Sequence, residues 1–242
     1  MSEATDSVDA GFRVADGVVA AVRAGLLERA DPEVAPGQQR YMKSAMPFHG
    51  VRSPEVRRLV RELVREHGPF ADREVWEQAV RSLWDEAGHR EERYAALALA
   101  RHPKHRAFAD DPRSLALYRH FVLTGQWWDL CDETAHLVGR VLAAQPVEIT
   151  PILRDWSREE NLWIRRVAII AQLDRKGETD VDLLAYAIEG SIADRDFFAR
   201  KGIGWALRQH SKTDPAWVRA FVAAHPDLSG LSVREALRLL PN

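Results

Sequence analysis

The stretch Trp127-Trp128-Asp129-Leu130-Cys131-Asp132-Glu133-Thr134-Ala135-His136-Leu137-Val138-Gly139-Arg140-Val141-Leu142-Ala143-Ala144 reads as one helix. Its apolar residues recur every three to four positions, so Leu130, Leu137 and Val138 face inward. Residues four apart share a helix face, which puts Trp128 and Asp132 side by side. Arg166 follows Trp128 by 38 residues, and Trp205 follows Arg166 by 39. In stacked helix pairs, residues one repeat apart occupy equivalent places on successive helices, so these three form one ridge.

The rest of the chain has the same character. No alternating β-branched runs joined by Asn-Gly or Asp-Gly turns occur. Helix-start signals recur instead: Ser53-Pro54-Glu55, Asp72, Asp111-Pro112, Thr150-Pro151 and Asp214-Pro215. They predict helices over 10–29, 54–67, 72–86, 90–101, 112–124, 127–144, 150–157, 161–174, 180–189, 195–210, 214–224 and 232–239. Residues 31–52, with Pro32, Pro36, Gly37, Pro47 and Gly50, read as an irregular connection. The expected fold is all-α, a curved solenoid of HEAT-like helical repeats forming an α-α superhelix. A flexible tail is expected over residues 1–9 and a single domain over 10–242.

Composition narrows the function. The 242 residues carry a formal net charge of −2, so a generic polybasic binder is excluded and any anion-binding surface must be local. Lysine occurs only at positions 43, 104, 176, 201 and 212, and the other basic residues are arginine. Coding bias accounts for that, and so does the fit of a planar guanidinium to phosphate. A lone cysteine, Cys131, allows no disulfide and no cysteine metal site, and suggests a reducing, cytoplasmic setting. Met1 to Ala10 lacks the apolar core of a secretory signal, and no apolar run is long enough to span a membrane.

Three tracts carry candidate chemistry, each with a purely structural alternative. An indole beside a carboxylate, as in Trp128 and Asp132, suits a cationic substrate; the same pair also describes a core tryptophan near a helix-start acid. In Asn161-Leu162-Trp163-Ile164-Arg165-Arg166, Trp163 and Arg166 share a face; the alternative is an arginine snorkelling from a buried helix. In Phe197-Phe198-Ala199-Arg200-Lys201-Gly202-Ile203-Gly204-Trp205-Ala206-Leu207-Arg208, two glycines inside a helix imply close approach of another helix or a ligand. Lys201 and Arg208 flank Trp205 as phosphate contacts would. Tyr41 and Lys43, before Pro47-Phe48-His49-Gly50, are candidate ligand contacts or parts of a packed connector. Arg57, Arg58, Arg61 and Arg65 read as a solvated helix face. The His102 and His105 pair is interrupted by Pro103 and has no acidic cluster nearby, so no metal site is expected there.

Together, Tyr41 to Gly50, Trp127 to Asp132, Asn161 to Leu173 and Phe197 to Arg208 resemble the AlkD-like family of DNA alkylation repair glycosylases. The resemblance runs from about residue 10 to 239. It implies a concave DNA-binding groove and hydrolysis of the N-glycosidic bond of cationic purines such as 3-methyladenine and 7-methylguanine, without a deep base-flipping pocket. It implies that Asp132 is the catalytic carboxylate, that Trp128 and Trp205 cradle the lesion's sugar and backbone, that Arg166 meets DNA beside the lesion, and that Tyr41 and Arg208 line the groove. Lys43, Trp163 and Lys201 are added as DNA contacts. The family tends to place a basic residue after Gln172-Leu173, where this chain has Asp174 followed by Arg175 and Lys176.

The implied activity is that of a monofunctional base-excision-repair enzyme needing no metal or organic cofactor. The implied partner is duplex DNA containing alkylated bases, met by a monomer with no membrane association. Two alternatives stand beside it: excision of bulky N3-adenine adducts in self-resistance to a DNA-alkylating natural product, and a non-catalytic helical-repeat scaffold binding DNA or protein.

Overall fold

A computed structural model describes the backbone of residues 2–241 and the side chains of residues 11–241. All described elements are helical, and no strand occurs among the described residues, so the all-α expectation holds. The chain divides into two compact units, Met1–Ala109 and Asp110–Asn242.

The first unit contains α1 (Ser2–Glu28), α2 (Ala35–Met42), α3 (Ser53–His67), α4 (Arg73–Asp85), α5 (Arg90–Arg101), a 3-10 turn (Pro103–His105) and α6 (Arg106–Ala109). Helices α1, α3, α4 and α5 pack on one another. In α3 the apolar stripe Val56, Leu59, Val60, Leu63 and Val64 is buried, while Arg57, Arg58, Arg61 and Arg65 face solvent. That is the division an amphipathic helix makes. Trp76 and Trp84 of α4 are fully buried. Glu91, also fully buried, accepts hydrogen bonds from the backbone N–H groups of His49, Gly50 and Val51. Three charge-assisted bonds satisfy its carboxylate and pin that loop. Gly50 sits at φ +93°, and a Cβ there would lie 2.1 Å from the Asp31 carbonyl oxygen, so only glycine fits.

The second unit contains α7 (Ser114–Gly125), α8 (Trp128–Ala144), α9 (Pro146–Trp156), α10 (Leu162–Ile170), a 3-10 turn (Lys176–Glu178), α11 (Val181–Glu189), α12 (Phe197–His210), α13 (Pro215–Ala224) and α14 (Gly230–Leu237). Helix α10 packs between α8 and α12, and α12 packs on α14; α7, α9, α11 and α13 lie against this row. These are stacked helix pairs, the repeat arrangement that the 38- and 39-residue spacings predict. Close packing has a local cause at Gly139 of α8, where a Cβ would lie 2.1 Å from the Ala171 carbonyl oxygen. Leu130, Leu137, Leu142, Ile149 and Tyr118 are buried to within 1–2% of complete. Each such aliphatic side chain contributes roughly 1.5–3 kcal/mol of burial.

Several boundaries differ from expectation. The connection over 31–52 contains α2, which a proline in its first turn helps to start. Helix α9 begins at Pro146 rather than at Thr150, so Pro151 falls inside it. The missing N–H of Pro151 leaves the Val147 carbonyl without its helical donor, at an exposed residue where water can serve. Helix α10 ends at Ile170, short of 174. The tail expected at 1–9 concerns residues whose side chains lie outside the described part; the backbone from Ser2 belongs to α1. No described helix is long and apolar enough to cross a membrane.

Candidate catalytic cleft

Helix caps set the register of the residues that meet in the second unit. Trp127 is the extended residue before α8, which makes Trp128 the first helical position. Asn161 Oδ1 accepts from the backbone N–H groups of Trp163 and Ile164 and starts α10. Asp196 accepts from the N–H of Phe198 and starts α12. From these starts Trp128, Asp132, Arg166, Phe197, Phe198, Lys201, Trp205 and Arg208 all reach the same cleft, of about 360 Å³. The ridge read from repeat spacing is therefore a real neighbourhood.

At its floor Arg166 grips Asp132. Nε donates to Oδ1 and an Nη donates to Oδ2, both at 2.8 Å, while the other Nη donates to the Phe198 carbonyl at 2.6 Å. The side chains are 4% and 15% exposed respectively. The fork geometry fixes the carboxylate plane. Burial pushes the Asp132 carboxyl above the ordinary carboxylate range, and Arg166 pulls against that shift by hydrogen bond and charge. Gly202 makes room for this pair: a Cβ there would lie 3.0 Å from an Arg166 Nη. Trp128 and Trp205 are half-buried, with indole surface left to the cleft.

The two cations on α12 are not arranged as the sequence suggests. Lys201 Nζ donates to Glu235 Oε1 at 2.7 Å, and Arg208 donates to Glu235 Oε2. Glu235 comes from α14, and its carboxyl is held below the ordinary range, first by the Lys201 hydrogen bond and then by nearby positive charge. Glu235 carries no local signal in the sequence, because its partners lie 27 and 34 residues away. Phe197, 57% exposed at the cleft, carries only one sequence signal, its position just after a capping aspartate.

The remaining expected contacts differ in exposure. Trp163, expected on the DNA surface, is 7% exposed and packs with Trp127 and Phe198, ring centroids 6.0 and 5.0 Å away. It supports the cleft from beneath, because the apolar indole gains more from that cluster than from water. Arg166, expected to meet DNA, is 3% exposed with its fork on Asp132. Tyr41 is 72% exposed in the first unit, and Lys43 caps the end of α2 in left-handed conformation at φ +50°. Asp174, where the resemblance implied a basic residue, accepts a 2.6 Å hydrogen bond from His136 Nδ1.

Residues able to hold a metal fit it poorly. His49, His89 and Glu92 bring donor atoms within 4.8 Å of one another. The imidazoles are stacked 3.7 Å apart at 17°, so their in-plane lone pairs do not converge. Glu92 already receives the N–H groups of Gly88 and His89 on one oxygen and Arg23 on the other. His105 is a packing histidine: its Nε2 accepts from the Phe70 N–H, its Nδ1 meets the Leu99 carbonyl, and burial lowers its pKa to about 4.

A row of helix pairs carrying a carboxylate and two indoles in one cleft defines a helical-repeat protein with a candidate site for a cationic substrate. Residues 22–240 match the model of the DNA alkylation repair enzyme family, and the chain belongs to that family. It is similar to a solved structure from Enterococcus faecalis described as a predicted DNA alkylation repair enzyme. The two share 31% identity and a TM-score of 0.79 over 88% of this chain and 97% of that one. No curated protein sequence matches the chain significantly.

Proposed function

We propose that the protein is a monofunctional DNA glycosylase that releases cationic N3- or N7-alkylated purines from duplex DNA, with Asp132 as its catalytic carboxylate. The observation that carries this reading is the Asp132 carboxylate, locked by Arg166 at the floor of a cleft that Trp128 and Trp205 also line. Alkylation makes the base a cationic leaving group, so little proton donation is required. As the glycosidic bond lengthens, positive charge grows on the sugar. A fixed carboxylate then stabilises that charge and orients the attacking water. Each indole adds about 0.5–2 kcal/mol of attraction to a cation, more as water is excluded.

Arg166 acts here as a positioning residue. It holds both carboxylate oxygens and opposes the effect of burial on Asp132. Lys201, ion-paired with Glu235, serves as a cation and not as a Schiff-base nucleophile, consistent with hydrolysis without strand cleavage. Lys201 and Arg208 are the cleft groups suited to backbone phosphate.

The test is release of 7-methylguanine from methylated duplex DNA. Asp132→Asn keeps the shape and removes the charge, and the single-turnover rate is expected to fall about 10²–10³-fold, the scale on which one transition-state electrostatic partner counts. Equal rates in wild type and variant overturn the assignment. A second reading rests on the exposed Phe197 beside the cleft, a surface that a bulky N3-adenine adduct could lie against; release of such an adduct in preference to methylated bases favours it.

A further inference from the structure

We infer that Glu235 is a built-in counter-anion that sets how the cleft discriminates among DNA backbones: it aims Lys201 and Arg208 while cancelling half of their charge. The inference rests on the DNA reading above and deepens it.

The geometry is specific. Gly204 lies on α12 between Lys201 and Arg208, and a Cβ on it would lie 2.5 Å from the Cβ of Glu235 and 3.1 Å from the Ser232 carbonyl oxygen. The bare backbone of Gly204 thus seats α14 and brings the Glu235 stem onto α12. Its two carboxylate oxygens then divide between the cations, one to each. Glu235 is 12% exposed, Lys201 35% and Arg208 21%. The carboxylate is sheltered and the cations keep an accessible side. Arg238 adds to the positive surroundings that hold Glu235 ionised.

Two opposed effects follow. The bridge orders two long side chains before DNA arrives, sparing part of their rotamer entropy on binding. It also lowers the local charge from two to one, which weakens sequence-independent attraction to any duplex. An ammonium has three donors and a guanidinium five, so each can add a phosphate oxygen without releasing Glu235. Counterion release scales with the phosphates neutralised. The charge effect dominates for undamaged DNA, where binding is almost wholly electrostatic. The ordering effect matters most where the backbone must sit in one place, as at a lesion.

The experiment measures binding of undamaged and methylated duplexes across salt concentrations, with thermal unfolding alongside. Glu235→Gln is expected to tighten binding to undamaged duplex about three- to tenfold at low salt and to steepen log K against log salt by about 0.9, one extra phosphate equivalent. Preference for methylated over undamaged DNA is expected to shrink. Lys201→Gln on top of Glu235→Gln is expected to restore the wild-type slope, a coupling that misfolding would not produce. An unchanged slope, or a loss of affinity for both duplexes in step with lost stability, overturns the inference. Tightened binding by Glu235→Gln in a protein that releases no base sinks the glycosylase reading alone; failure of both wild type and variant to bind duplex DNA sinks both.

Discussion

At the scale of single residues, the chemistry centres on a carboxylate whose surroundings oppose one another. Burial raises the pKa of Asp132 and the Arg166 fork restrains that rise. The proposed reaction needs the ionised form. Base release is therefore expected to decline as pH falls, with a midpoint above that of an ordinary aspartate, about 3.9. Arg166→Ala removes the restraint and is expected to move that midpoint further up, besides lowering the rate. A rate–pH profile with an unchanged midpoint in Arg166→Ala would mean that the fork does not control the carboxylate. The residue scale is also where local reading of sequence fell short. Helical spacing placed Trp163 and Arg166 on one face, but the direction of an arginine fork is decided by the nearest carboxylate. That carboxylate, Asp132, lies 34 residues earlier.

At the scale of elements, two glycines two positions apart in α12 do different work. Alanine gains about 1 kcal/mol over glycine in a helix interior. At Gly204 that gain meets a fixed helix, since the added Cβ would lie 2.5 Å from Glu235 Cβ. Overpacking typically costs about 1–3 kcal/mol, so Gly204→Ala is expected to lower the melting temperature. At Gly202 the nearest atom, at 3.0 Å, is the Arg166 Nη that donates to the Phe198 carbonyl, so less packing is disturbed but the guanidinium whose other nitrogens hold Asp132 is pushed. Gly202→Ala is expected to keep most of the stability while losing base release. Equal melting temperatures and equal activities for the two variants would contradict these roles. The sequence flagged a close approach here from the cost of glycine in a helix. Which element approaches which glycine required the packing of α14 on α12.

At the scale of the whole molecule, a net charge of −2 means that any attraction to DNA is local to surfaces such as the cleft. Stability carries a separate pH dependence through His105. Its pKa is lowered to about 4 in the folded protein against an ordinary 6.5. Below pH 6.5 the unfolded chain takes up a proton that the folded chain refuses until about pH 4. Stability is therefore expected to fall over that window and then level off, by up to about 3 kcal/mol. Urea midpoints of wild type and His105→Gln between pH 7 and 4 check this; parallel curves would remove His105 as the cause.

The sequence by itself determined the helical class, most helix starts and the ridge that joins Trp128, Arg166 and Trp205. Caps, prolines and apolar periodicity act over a few residues, and a repeat of nearly constant length carries equivalent positions from one helix to the next. Only the tertiary structure decided that Arg166 turns inward onto Asp132, that Trp163 lies beneath the cleft, and that Glu235 stands between the two cations. Ion pairs and aromatic clusters form between groups about 27 to 36 residues apart, and their partners are chosen by how helices pack, which no local pattern encodes.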